Sequence, residues 1–270
     1  MISNAMAARG LDSGLQNRQN PGESWVLAMR GVGGLLLGLC ALALAGCATA
    51  PPSPQARAAN DPYEQANRDL LKFNGKVDKY FVIPTVGLYF ILVPEGGRRG
   101  VHNFLGNLSL PTIFVNDMLQ GELSRAGKSM WRLVLNSTIG LGGFFDPASK
   151  IGVPGHGEDF GQTLAVWGVD EGPYLVLPFL GPSNPRDATG LVVDAAMDPT
   201  NQIPFKQHIW WAAGREYFTL LDLRAQTYQT VQGIQRSSVD YYSSLRSLYR
   251  QLRNEQIRNG RNRGQDLPDF

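Results

Sequence analysis

The sequence predicts a mainly α fold built from short, broken helices. Three observations carry this. Apolar residues recur at helical spacing through most of the chain, no segment shows the clean two-residue alternation of a half-buried strand, and glycine and proline punctuate the helical stretches often. Glycine occupies 31 of 270 positions, about 11% against a usual 7%, and most of it falls between Gly87 and Gly190. Such punctuation argues against a long-helix bundle.

The first helix opens at Asp61-Pro62-Tyr63-Glu64. Asp61 suits an N-cap, Pro62 the first helical position and Glu64 the capping-box position. Ala66, Leu70, Phe73 and Val77 share one face, and the helix is expected to reach Lys79. Phe81 to Val93 is almost wholly apolar, but Pro84 and Pro94 argue against one long helix there. It is too short to cross a bilayer upright. A helix is expected from Glu95 to Leu105. Another, capped by Ser109 with Pro111 near its start, is expected to end at Gln120-Gly121.

Glu122 to Thr138 is strongly amphipathic through Leu123, Ala126, Met130, Trp131, Val134 and Leu135. A glycine-rich loop follows from Ile139 to Gly157. Phe160 to Val166 reads as a helix or a strand. Pro173 to Pro182 is a second apolar, proline-bounded segment. Asn184-Pro185 opens a helix to Met197, and longer helices are expected near Ile209 to Val231 and Ser237 to Arg258. In the last of these, Val239, Tyr242, Leu245, Tyr249 and Leu252 form a docking face. Arg236, Arg246, Arg250, Arg253 and Arg258 are assigned to a wet, basic face. The polar tail from 260 to 270 is expected to be disordered.

The N-terminal region carries an export signal. An apolar run from Val32 to Ala45 follows Arg30 and ends in Leu44-Ala45-Gly46-Cys47. A positive flank, an apolar core and small residues before a cleavage point define a secretory signal. The cysteine at that point resembles a bacterial lipobox, which makes Cys47 the acylated N-terminus of the mature chain. Residues 1–46 are then signal peptide, and 1–28 read as a misassigned start because Met29-Arg30 makes a natural initiator. Residues 47–60, with Pro51, Pro52 and Pro54, form an extended tether. Ala48 after the cysteine favours the outer membrane.

Composition limits what remains. The formal net charge is +2, which is poor for nucleic-acid binding. Cys40 lies in the signal and Cys47 is the lipidation site, so no disulfide is expected. His102, His156 and His208 show no metal-helix spacing, and neither a Gly-x-Ser-x-Gly elbow nor a nucleotide-phosphate fingerprint is present. No metal and no cofactor are expected. His156-Gly157-Glu158-Asp159 is the best acid/base cluster. A lipid hydrolase using His156 and Asp159 is the alternative enzymatic reading, and a polar turn is the plainer one.

Several stretches resemble the MlaA (VacJ) family of outer-membrane lipoproteins. They are Asp61 to Arg68, Phe73-Asn74, Asn103-Phe104, Asn107-Leu108, Val115-Asn116 and Leu119 to Gly121. Asn136 to Ala148, Glu158 to Leu164, Trp167 to Val169, Gly172 to Tyr174 and Pro178 to Asp187 continue in family order. The blocks span about Asn60 to Arg253. Pro185 before Arg186 is a minor departure from the family pattern.

The resemblance implies a ring-like helical lipoprotein on the periplasmic face of the outer membrane, with an amphipathic channel and no catalytic activity. It implies removal of mislocalised phospholipids from the outer leaflet to a soluble carrier, MlaC, and association with a trimeric porin. A structural lipoprotein that only tethers a porin is a further alternative. Within that frame, Phe81, Val82, Ile83, Leu88, Phe90, Ile91, Tyr174, Leu175, Leu177 and Phe179 are pore or lipid-contact candidates, with ordinary core as the alternative. Gly140, Gly142 and Gly143 are candidates for a flexible gate, with a tightly packed turn as the alternative. Arg186-Asp187 reads as a structural pair at a helix start.

Overall fold

The computed structural model describes residues 54–202 and 208–259, which belong to one compact unit within residues 51–270. The signal peptide, Cys47 and the polar tail lie outside the described residues. The fold is mainly α, as expected. In chain order it comprises α1 (Pro54–Ala58), α2 (Glu64–Val77), a π-helical turn (Asp78–Val82), α3 (Ile83–Leu92), α4 (Glu95–Leu119), α5 (Leu123–Thr138), α6 (Pro147–Lys150) and α7 (Phe160–Val166). A hairpin of β1 (Leu175–Leu177) and β2 (Gly181–Ser183) follows. Then come α8 (Pro185–Met197), α9 (Pro199–Gln202), α10 (His208–Ser237) and α11 (Tyr241–Arg258).

Four expectations are corrected. The end of the tether is helical, since α1 begins at Pro54. Pro84 does not interrupt the helix. It stands at the first turn of α3, directly after a π turn in which the Ile83 N–H bonds to the Asp78 carbonyl. The wider turn absorbs the bond that proline cannot make, so the chain stays helical from Glu64 to Leu92. The break comes at Pro94, where α3 and α4 meet at a bend of 119°.

Pro111 likewise sits inside α4, which runs unbroken for 25 residues. Ser109 is no cap: its hydroxyl donates to the Leu105 carbonyl at 3.2 Å. α4 packs along α5, and that packing offsets the one missing hydrogen bond, so the helix continues through Pro111. Finally, β1 and β2 pair antiparallel, with Val176 opposite Pro182. Three residues per strand are too few to show alternation.

The hairpin survives at this size because α2 completes it. Asn67 donates to the Tyr174 carbonyl at 3.0 Å and accepts from the Val176 N–H at 2.9 Å. One heptad on, Asn74 does the same for the Leu177 carbonyl (2.9 Å) and the Phe179 N–H (2.8 Å). Two side-chain amides thus stand in for a neighbouring strand and satisfy an exposed ladder edge.

The apolar core is divided. Val86, Tyr89 and Leu221 form one cluster between α3 and α10, and Tyr174, Val176 and Tyr242 form another, with Leu70, Leu71 and Tyr249 against it. Between them the interior is polar: Asn116, Asp117, Ser129 and Thr163 are all fully buried and hydrogen-bonded.

Candidate lipid pathway

Helix α3 has two apolar faces. Val82, Val86, Tyr89 and Val93 follow helical spacing and meet Leu221 and Ala225 of α10. The opposite side holds Phe81, Leu88, Phe90, Ile91 and Leu92 outward, with Phe81 70% and Ile91 80% exposed. Of the predicted contact residues, Val82 belongs to the inner cluster, Ile83 is half-buried and Phe81, Leu88, Phe90 and Ile91 are open. In the second segment Tyr174 is core at 1% exposure, which corrects its reading as a lipid contact. Leu175 and Leu177 are half-buried and Phe179 is open.

Exposed apolar side chains continue elsewhere. Leu123, Met130, Trp131 and Val134 line one side of α5, and Ile139, Leu141, Phe144 and Phe145 the turn after it. On α10 Trp210, Trp211, Tyr217 and Phe218 are open. Water alone is a poor environment for so much large apolar surface. No single helix among the described residues is long and apolar enough to cross a membrane, although the bent pair Glu64–Leu92 and Glu95–Leu119 passes that test together.

The glycines after α5 are placed by packing. A Cβ on Gly140 would come within 2.4 Å of the Asn136 carbonyl oxygen, and one on Gly143 within 2.4 Å of Asn107 Cβ. Gly142 and Gly143 both have positive φ, 71° and 98°. The Gly143 N–H bonds to the Asn136 carbonyl at 2.7 Å and the Phe145 N–H to the Gly140 carbonyl at 2.9 Å. This is a closed helix C-terminal turn, and its geometry gives no support to the mobility on which a gate was expected.

Helices α4 and α5 and the segment from Asp146 to His156 border an open cavity of about 420 Å³. It is lined by His102, Asn103, Asn107, Ser109, Arg132, Asn136, Asp146, Ser149 and His156, together with Gly106, Leu110 and Ile113. Arg132 bonds to Ser149 Oγ, the Val153 carbonyl and Asp146 Oδ2. Burial raises the Asp146 carboxyl, but the hydrogen bonds from Ser149, Arg132 and Asn136 outweigh it and hold the group below the usual range. The sequence does not place His102, Asn103 and Arg132 at one site. They come from distant stretches and share no local pattern.

The His-Gly-Glu-Asp cluster is dispersed into three partnerships. His156 Nε2 lies 2.9 Å from Asp117 Oδ2, Glu158 pairs with Arg125, and Asp159 caps α7 while bonding Arg253. Desolvation raises the Glu158 carboxyl despite Gln120 and Arg125. Ser129 gives its hydroxyl proton to Asp117 at 2.7 Å and approaches the same His156 nitrogen only at 3.4 Å. A catalytic triad needs serine and acid on opposite nitrogens of the ring; here both face one. Asp117, His156 and Glu158 bring ligand atoms within 4.8 Å of one another, but the Arg125 guanidinium already supplies a cation to both carboxylates.

The last helix keeps part of its expected docking face, since Tyr242 and Tyr249 pack in the core, but three of its arginines are not wet. Arg246 turns inward to Asp61 (2.6 Å), Arg250 to the Ala59 carbonyl (2.6 Å), and Arg253 to Asp159 (2.6 Å) and Asp187 (2.8 Å). Val239 and Leu252 are exposed, while Tyr242 is buried. Arg186 pairs with Asp187 at 3.0 Å, as read from sequence.

Fold and surface together define a mainly helical protein that displays many large apolar side chains and has a pocket beside α4 and α5. The chain belongs to the MlaA lipoprotein family: residues 59–256 match the family model of that description. It is 34% identical over 238 residues to the intermembrane phospholipid transport system lipoprotein MlaA of Haemophilus influenzae, covering 86% of this chain and 93% of that one. It is 35% identical over 223 residues to the same-named protein of Escherichia coli K12, covering 80% and 85%. A solved structure concerned with the maintenance of bacterial outer membrane lipid asymmetry matches with a TM-score of 0.63 and 32% identity, over 73% of this chain and 98% of that one.

Proposed function

We propose that this protein is the outer-membrane lipoprotein of an intermembrane phospholipid transport system. It removes mislocalised phospholipids from the outer leaflet and passes them to a soluble periplasmic carrier, which maintains lipid asymmetry. The observation that carries this reading is the outward apolar face of the π turn and α3, from Phe81 to Leu92, in a chain that also has a pocket lined by polar and apolar residues. A two-chain phospholipid carries roughly 30 methylenes, and wetting them costs on the order of 25 kcal/mol at ~0.8 kcal/mol each. A carrier surface must therefore shelter the tails while the headgroup stays in polar surroundings. Phe81, Leu88, Phe90, Ile91 and Phe179 supply such surface, and Leu175 and Leu177 border it.

Cys47 carries the lipid anchor on the periplasmic face in this account, and a porin and an MlaC-like carrier are the protein partners. The work is binding and release without covalent chemistry. The dispersed His156 cluster supports that view, because neither Ser129 nor Asp159 is placed to work with the ring. Expression of His156→Ala in a deletion strain separates the readings. Restored outer-membrane barrier function with normal protein levels supports a conduit. Release of free fatty acid from phospholipid by the purified protein, abolished in His156→Ala, supports the hydrolase.

A further inference from the structure

The cavity between α4 and α5 has no assigned ligand, and its chemistry is specific. Its carboxylates are already engaged: Asp146 holds Arg132, Asn136 and Ser149, and Asp117, behind His156, holds His156 and Ser129. Six of its lining residues carry side-chain nitrogen: His102, Asn103, Asn107, Arg132, Asn136 and His156. His102 is held to Asp222 through Nδ1 at 2.9 Å, and His156 to Asp117 through Nε2, so each ring keeps its other nitrogen for a further partner. An imidazole held at one nitrogen offers the other to a further hydrogen-bond partner. Arg132 and Asn103 add N–H groups to the same wall.

Asn103 donates to the Phe144 carbonyl at 3.3 Å and Asn107 to the Gly142 carbonyl at 3.2 Å. These bonds tie two lining residues to the turn after α5, on which Ile139, Leu141 and Phe145 are exposed. A hollow of about 420 Å³ suits one small polar group.

We propose that this cavity is a headgroup subsite that binds the phosphodiester of a glycerophospholipid. His102, Asn103, Arg132 and His156 form its polar wall, and the acyl chains leave over the Ile139 to Phe145 turn. This rests on the transport reading and deepens it. The phosphodiester carries one negative charge and two free oxygens, which match several N–H donors better than an ester or hydroxyl does.

Gly106 provides the test. It lines the cavity on α4, and a Cβ there would meet nothing within 4 Å, so Gly106→Leu fills the space without touching the ion pairs. Gly75, exposed on α2 with equal room, provides the control Gly75→Leu. Purified lipidated full-chain protein is titrated with dihexanoyl phosphatidylethanolamine below its micellar concentration, dihexanoylglycerol and inorganic phosphate. The wild type should bind the phospholipid at least about tenfold more tightly than the diacylglycerol. Gly106→Leu should lose that preference, and Gly75→Leu should keep it. Equal binding of phospholipid and diacylglycerol by the wild type overturns the proposal, and needs no variant to fold. So does a Gly106→Leu protein with unchanged preference. Inorganic phosphate bound as tightly as the phospholipid assigns the cavity to free phosphate instead. If a deletion strain still accumulates outer-leaflet phospholipid, any of these failures removes the subsite and leaves the transport reading standing.

Discussion

Arg253 Nε on the last helix lies 2.8 Å from Asp187 Oδ2 at the start of α8. The same guanidinium reaches Asp159 through Nη1 and Nη2 at 2.6 and 2.7 Å. One side chain therefore ties α11 to the first turns of both α7 and α8. Burial by itself would lower the Arg253 pKa, but the two carboxylates prevail and raise it. The arginine is thus a fixed charge within the fold.

Removing it should be costly. Arg253→Ala leaves two carboxylates without their cation, and breaking a buried pair from one side costs about 3–5 kcal/mol. Arg253→Lys should recover little, because an ammonium cannot serve both acids with a planar fork. Chemical denaturation in detergent measures both. A loss below about 1 kcal/mol for Arg253→Ala would show that the cluster contributes little net stability.

The same cluster sets an acid limit. Burial raises the Asp159 and Asp187 carboxyls, but Arg253 and their other hydrogen-bond donors more than offset it, so both titrate below the ordinary Asp value of 3.8. The native state then binds fewer protons than the unfolded state. The stability this gives is fully present above pH 3.8 and is lost as pH falls through the native values. The melting temperature should be flat near neutrality and drop below about pH 4. A rise in stability over that acid range contradicts the assignment.

The glycines make opposite predictions. Gly143→Ala combines φ of +98° with a clash against Asn107, and should destabilise by at least about 1–2 kcal/mol. Gly106→Ala, helical and unobstructed, should stabilise by about 0.5–1 kcal/mol. Thermal melts of the two variants check this. A Gly143→Ala protein of normal stability but altered transport would restore the gate.

The C-terminal boundary follows from Arg246, Arg250 and Arg253. Truncation after Asn259 should preserve the outer-membrane barrier. Truncation before Ser237 removes the partners of Asp61, Asp159 and Asp187 and should abolish folded protein. An antibiotic-permeability assay with immunoblotting distinguishes these. A functional chain ending before Ser237 would refute the role given to α11.

Much of this was legible in the residues, and the gaps have physical causes. Asn184-Pro185 marked the start of α8 because an Asx cap and an N1 proline act locally; Asn184 accepts from the Asp187 N–H. Pro84 and Pro111 misled because long-range packing and a π turn compensate for a missing donor, and neither leaves a local mark. The hairpin was invisible because its stabilising partners, Asn67 and Asn74, lie about 100 residues earlier. The arginines of α11 looked wet because single-sequence reading assigns charge to solvent. Nothing local to Arg253 signals two distant aspartates. Helical spacing gave Phe81 to Val93 its apolarity but not which side meets α10.

Lipid contact along α3 is directly testable. A photo-crosslinker at Ile91, 80% exposed, should capture phospholipid in cells, and one at Tyr174 should capture none. Protein-only capture at Ile91 would assign that face to a protein partner. Acylation is checked by mass spectrometry of the mature N-terminus: a lipid-modified Cys47 is expected, and Cys47→Ser should leave the protein unprocessed or mislocalised.

The central claim is transport that keeps phospholipid out of the outer leaflet, and the most direct measurement is the phospholipid content of that leaflet in a strain lacking this protein. The account predicts accumulation of surface-exposed phospholipid, reversed by the intact gene. An outer leaflet unchanged by the deletion, with the porin still assembled, would contradict it and leave the protein a structural lipoprotein.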